Sequence, residues 1–104
     1  MSGSGGGGYQ PSIKTTFDCE TGIIRTALSS VNLNIIAQHF TGDVLDVVVD
    51  GNAVVAENGN GEILGSILHA NVNKLRECIE LGHEYQATIT SLTGTSCSIK
   101  IYKS

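Results

Sequence analysis

Three histidines, three cysteines and a short series of carboxylates are the reactive groups of this chain. His39, His69 and His83 have the chemistry of general bases. Cys19, Cys78, Cys97 or a serine has that of a nucleophile. Their spacing matches no arrangement that makes such groups catalytic: there is no nucleophile elbow, no His-Glu-x-x-His and no Walker loop. Gly59-Asn60-Gly61 is too short to cradle a phosphate, and it lies between strand-like segments rather than ahead of a helix. Asp43 and Asp46, or Asp46 and Asp50, could bind a hard cation together with Glu57. Asp46 and Asp50 are an even number of residues apart, so on a regular strand they share a face. The commoner reason for that pattern is a solvated outer face with the valines inside. The expectation is a chain with no catalytic residue, no metal and no cofactor.

Composition narrows the class. With 104 residues the chain suits one domain with one modest core. Hydrophobic residues make up 40%, aromatics only 5%, and there is no Trp, so the core must be Ile, Val, Leu and Ala. The formal net charge is -4, from six Lys+Arg against ten Asp+Glu. That balance opposes a non-specific nucleic-acid binder, whose affinity comes from clustered cations, but leaves room for a small local basic site. The cysteine count is odd and no pair has C-x-x-C spacing, which predicts free thiols rather than a disulfide scaffold or a zinc site. Free thiols in turn fit a cytoplasmic protein. No apolar run approaches the ~18 residues of a membrane span, and no signal peptide is visible.

The elements that must position these groups follow from periodicity. Residues 1–12, MSGSGGGGYQPS, are low in complexity and predict a flexible Gly/Ser-rich tail, natural or added. Residues 13–104 then form a single domain. Residues 13–18 predict a strand and Thr21-Gly22 a turn. Residues 23–28 suit a strand or the start of a helix. Ser29 and Ser30 are candidate N-caps, and Val31, Ile35, Ile36 and Phe40 trace a helical face ending at Gly42. Asn32 and Asn34 suit outward strand positions equally, so residues 29–41 are open between helix and strand. Residues 43–50 and 53–57 predict strands, and Asn58-Gly59-Asn60-Gly61 a hairpin turn into a third strand at 62–67. Val72, Leu75, Cys78 and Ile79 predict a helix over 71–81 capped by Asn71 and ended by Gly82. Alternation predicts final strands at 84–92 and across Cys97, Ile99 and Ile101. The order helix, glycine, polar residue, strand occurs twice, as HFTGDVLDVVV and IELGHEYQATI. A duplicated unit gives that pattern; so, more commonly, does the habit of glycine to end helices.

Several of these stretches together resemble a HIRAN domain. They are Gly42-Asp43-Val44-Leu45, Asp50 with Asn52-Ala53-Val54-Val55, Gly61-Glu62-Ile63-Leu64-Gly65-Ser66-Ile67, and Gly82-His83-Glu84-Tyr85-Gln86-Ala87. The resemblance covers about residues 40–102. It implies a β-rich α+β fold, a small, mostly antiparallel β-barrel with one or two helices. It also implies company with DNA-processing enzymes and a grip on single-stranded 3′ ends. The Asn-Pro-Tyr segment of the family is missing: Val49-Asp50-Gly51-Asn52-Ala53 keeps the acid, the asparagine and the alanine. The aromatic that would stack on a base, at about 1–3 kcal/mol per base, is absent there. The family's use of the barrel rim implies a ligand site at Arg25, Asp50, Asn52 and His69. Arginine suits a bidentate phosphate contact, and His69 adds charge when protonated.

The expected function is therefore a non-enzymatic binding module in a nucleic-acid-processing system, with single-stranded nucleic acid as partner. The alternative is a protein–protein adaptor or regulatory accessory protein acting through an exposed strand edge.

Overall fold

The computed structural model describes residues 17–104. The tail at 1–12 and most of the strand expected at 13–18 lie outside that range. Of that strand, Phe17 and Asp18 are described, and neither lies in a strand; a turn follows at 19–21.

Alternation governs the strands. β1 is Ile24–Ala27, β2 Val44–Asp50, β3 Ala53–Glu57, β4 Ile63–Ser66, β5 Tyr85–Thr93 and β6 Ser96–Lys103. On β5, Tyr85, Ala87 and Ile89 point inward; on β6, Cys97, Ile99 and Ile101 do the same. Leu45 and Val47 of β2 complete that wall. Val54 and Leu64 enter from β3 and β4, and the core is aliphatic as the composition requires. The sheet order is β1-β6-β5-β2-β3-β4, every pair antiparallel.

The sheet curls into a half-barrel because its last strand returns to the chain beyond its first. Ser29 and Ser66 exchange both backbone N–H···O bonds at 2.8 Å, and the Asn32 N–H donates to the Leu64 carbonyl at 2.9 Å. Gly65 permits this approach. A Cβ there would stand 2.9 Å from the Ser29 oxygen and 3.0 Å from the Leu28 Cβ, which real side chains do not tolerate. The hairpin turn forms at Asn58–Gly61, with the Asn58 N–H donating to the Glu62 carbonyl at 2.9 Å. Of its two glycines, Gly61 has the positive φ (+79°) that disfavours a side chain.

Two helices complete the fold of the described residues. α2, Val72–Glu80, buries Leu75 and Cys78 and leaves Lys74, Glu77 and Glu80 in solvent. α1 is only Leu33–Ile36. The expected caps Ser29 and Ser30 are used otherwise: Ser29 closes the sheet and Ser30 has φ +51°. Asn32 caps instead, its Oδ1 accepting from the N–H groups of Asn34 (3.1 Å) and Ile35 (3.3 Å). Of the expected helical face, Ile36 is buried, whereas Phe40 lies beyond the helix and is 73% exposed.

The element order is therefore β-α-β-β twice over: β1-α1-β2-β3, then β4-α2-β5-β6. The sheet order 1-6-5-2-3-4 is unchanged when the two sets are exchanged (1 with 4, 2 with 5, 3 with 6), as a pseudo-twofold axis between β5 and β2 requires, and each set lends its first strand to the other's half of the sheet. Asp46 and Gln86, which occupy like positions in the two units, lie directly opposite each other across that junction.

The cysteines depart from the expected free thiols. Cys19 and Cys78 form a disulfide across 59 residues of sequence, with Cα atoms 5.6 Å apart. Cys97 alone is free, and buried. Neither C-x-x-C spacing nor an even count signals such a pair. The turn after Phe17 brings Cys19 to the helix face that carries Cys78.

Candidate functional site

Three polar neighbourhoods stand out. The first lies at the β2–β3 turn. Asp50 ends β2 and Asn52 precedes β3, both exposed. Backbone pairing of Ile67 N–H to the Val54 carbonyl (2.9 Å) leads the chain after β4 past this turn, toward His69. His69 Nδ1 accepts the Asn71 N–H at 3.1 Å, so the imidazole helps to start α2. The cation in contact here is Arg76. Its guanidinium donates to the Asn52 carbonyl at 3.0 Å and to Asn73 Oδ1 at 3.1 Å. Arg76 follows Val72 by four residues and thus flanks the apolar stripe of α2, the one signal in the sequence that it would reach back to the sheet. Asn71 Oδ1 is buried without a hydrogen-bond partner.

Arg25 is placed otherwise. On β1 it pairs with Lys100, Lys100 with Thr88, and Thr88 with Val44. Its register row thus meets β2 at Val44, the opposite end of that strand from Asp50. Among the described residues, no hydrogen bond or ion pair joins Arg25 to Asp50, Asn52 or His69.

Arg25 instead belongs to a second neighbourhood, the outer face of the sheet. Ile24 and Ile101 point inward, so Arg25, Lys100 and Tyr102 point out. Arg25 and Lys100 are direct cross-strand partners of like charge, an arrangement that costs stability. Neither cation has a carboxylate partner among the described residues, whereas Lys74 pairs with Glu77 (3.8 Å) and Lys103 with Glu20 (3.3 Å). The Tyr102 hydroxyl is anchored by Thr88 Oγ1 at 2.9 Å. Two unneutralised cations thus share a strand face with a half-buried, anchored aromatic. Sequence reading misses this group, because Lys100 and Arg25 meet only through strand register.

The third neighbourhood is a closed network. Asn58, 6% exposed, is the one buried polar residue among those described. Its Oδ1 accepts the N–H groups of Asn60 (2.9 Å) and Glu62 (3.0 Å), which fixes the amide orientation. Its Nδ2 then donates to Glu62 Oε1 at 2.9 Å and to His39 Nε2 at 3.1 Å. With Nε2 accepting, His39 carries its proton on Nδ1 and donates to Asp43 Oδ2 at 2.9 Å. Asp43 also accepts the Phe40 N–H at 3.0 Å. That bond first, and His39 second, hold its carboxyl below the usual value. Both ring nitrogens are engaged, so this Asp–His pair ties the hairpin tip to the turn before β2 rather than activating a nucleophile.

Of the carboxylates considered for a cation, one is drawn away and two are paired. Asp43 turns to His39, and Asp46 faces Glu57 across β2 and β3. Among the described residues no group of three or more His, Cys, Asp or Glu side chains is arranged to hold a metal ion. A groove of about 420 Å3 opens beside the end of α2, lined by Asp46, Val48, Ile79, His83, Glu84 and Gln86 among others. Burial pushes the Cys97 thiol above its ordinary range, away from the reactive thiolate. No helix of the described residues is long and apolar enough to cross a membrane. Comparison with family models, with curated proteins and with solved structures returns no match for this chain.

Proposed function

We propose that this domain is a non-enzymatic binding module for single-stranded nucleic acid, HIRAN-like in kind, and that it meets the strand with the outer face of its sheet. The observation that carries the reading is the pairing of Arg25 with Lys100, two adjacent cations with no carboxylate partner among the described residues. A phosphate between them would relieve the repulsion that the bare protein bears. Tyr102, two residues from Lys100 on the same face, supplies the aromatic absent from the β2–β3 turn, and stacking one base adds about 1–3 kcal/mol. The engaged nitrogens of His39 and the buried Cys97 support a binding role over a catalytic one.

The test is fluorescence polarisation of a labelled single-stranded oligonucleotide at low salt. Arg25→Ala with Lys100→Ala should abolish binding, and Tyr102→Ala should weaken it. With two phosphates neutralised on a single strand, log K should fall against log salt with a slope of about -1.4. Loss of binding in Asn52→Ala with His69→Ala, and not in the first pair, would move the site to the β2–β3 turn.

A specific observation also favours a second reading, a protein adaptor: Phe40 and Leu81 are 73% and 75% exposed on a chain of net charge -4. Such an adaptor would use one of these side chains, which strand register sets off opposite ends of the β2–β5 pair. The edge of β4 is already bonded to Ser29 and Asn32 and offers no free ladder. Absence of any polarisation change at low salt leaves this reading.

A further inference from the structure

The turn at residues 17–22 is built as a self-contained unit and clipped to the body by one covalent bond. Asp18 accepts the N–H groups of Glu20 (2.8 Å) and Thr21 (3.1 Å), and the Gly22 N–H donates to the Asp18 carbonyl at 2.7 Å. The turn therefore keeps its shape wherever it lies. Among the described residues, four groupings hold it down. Phe17 packs against the Tyr85 ring with centroids 5.8 Å apart. The Tyr85 hydroxyl donates to the Cys19 carbonyl at 2.7 Å. Glu20, with a 64% exposed side chain, approaches Lys103 at 3.3 Å and His83 at 3.7 Å. The fourth is the Cys19–Cys78 disulfide. Exposed ion pairs hold weakly. Without the disulfide, the core-buried Phe17 ring still anchors the start of the turn, and residues 18–22 keep one hydrogen bond.

We propose that the Cys19–Cys78 bond is a redox clasp: its reduction lets the 18–22 turn lift from α2 and β5 while Phe17 and the half-barrel stay in place. The two sulfurs differ in a way that sets the chemistry. Cys78 is fully buried, whereas Cys19 is only half-buried, so a reductant enters at Cys19. A thiolate of a dithiol reductant attacks Cys19 Sγ, the S–S bond breaks, and its electron pair departs on Cys78 Sγ, which takes up a proton. The second thiol of the reductant, as thiolate, then closes on its own mixed-disulfide sulfur and releases Cys19 as a thiol. The protein gains two electrons and two protons, and the dithiol becomes a disulfide. A monothiol needs a second molecule to resolve the mixed disulfide, whereas a dithiol completes the step intramolecularly. Cys97 takes no part, since it lies on β6 with its side chain fully buried in the core. Opening removes the acceptor of the Tyr85 hydroxyl and the Glu20 partner of His83. Both residues line the groove beside α2, so the clasp sets the shape of that groove.

Hydrogen exchange read by mass spectrometry decides the matter. The intact chain is compared before and after treatment with a dithiol, and again after reoxidation. Exchange should rise by about tenfold or more over residues 18–22 and 78–85, with β2, β3 and β6 still protected, and it should reverse on reoxidation. Cys19→Ala, which leaves the helix core intact, should show the open pattern with or without the dithiol. Unchanged exchange after full reduction would make the bond a passive staple and overturn the proposal. So would a uniform loss of protection across all strands, or failure of a dithiol to reduce the bond in the native protein.

Discussion

The two β-α-β-β units solve one problem with different chemistry. Each opens its helix with the same pattern, Asn32-Leu33-Asn34 and Asn71-Val72-Asn73, 39 residues apart. Each plants its buried aliphatic four residues after the cap, Ile36 and Leu75. Each then passes through a positive-φ glycine, Gly42 or Gly82, into a central strand. Past the buried aliphatic they diverge. The second unit continues for more than another turn and places Cys78 where a disulfide can bind it. The first stops, and the corresponding position is His39, tied through Asn58 and Asp43. Where α1 ends, Phe40 is left in solvent, and its counterpart Ile79 packs against the core. A shared backbone plan leaves the fastening of each helix free to vary: one unit uses a covalent bond, the other a chain of hydrogen bonds whose donors and acceptors must all agree.

That contrast has consequences of decreasing size. Leu75→Ala empties a fully buried site on a nine-residue helix and should cost about 2–5 kcal/mol in urea denaturation. Ile36→Ala, on four residues of helix, should lie at the low end of that range because the short turn can settle into the space. Equal losses would show the two helices to be held alike. The caps sharpen the comparison. Asn32→Ala removes a side-chain cap and should cost about 1 kcal/mol. Asn71→Ala should cost little or even stabilise, because its Oδ1 is buried with no partner to lose. Reversed effects would undo the assignment of capping to Asn32.

The smallest effect is one of pH. The folded-state pKa of Asp43 lies below its ordinary value near 3.8, chiefly through the Phe40 N–H and then through His39. The carboxylate thus contributes stability that is fully present above the unfolded value and is lost as pH falls through the folded one. Asp43→Asn should therefore flatten the acid limb of stability below about pH 4 and change its slope little above pH 6. Urea midpoints across pH 2.5–6 would measure it, and an unchanged acid limb would show that the first fastening does not depend on this carboxylate.

The strands were legible because inward and outward residues alternate with a period of two, which Tyr85, Ala87 and Ile89 keep without a break. The helix at 72–80 was legible through Leu75 and Cys78. Three features lay beyond local pattern, since each depends on partners distant in sequence. Ser29, a natural cap by type, is drawn instead to Ser66, 37 residues on. Cys19 finds Cys78 only once the sheet has curled. Asn58 reads as a turn residue and also proves to be the buried hub of a network. For the candidate site, residue types were visible and neighbourhoods were not. Arg25 carries the right chemistry, but its companions are fixed by register, which sets it beside Lys100 and aligns its row with the far end of β2 from Asp50.

The most direct measurement on the binding face is a backbone amide NMR titration with a short single-stranded oligonucleotide at low salt. Shift changes should gather at residues 23–26, 88 and 99–102, on β1, β5 and β6, and should vanish in Arg25→Ala with Lys100→Ala. Changes centred on Asn52, His69 and Arg76, or none on the outer face at saturating oligonucleotide, would contradict it.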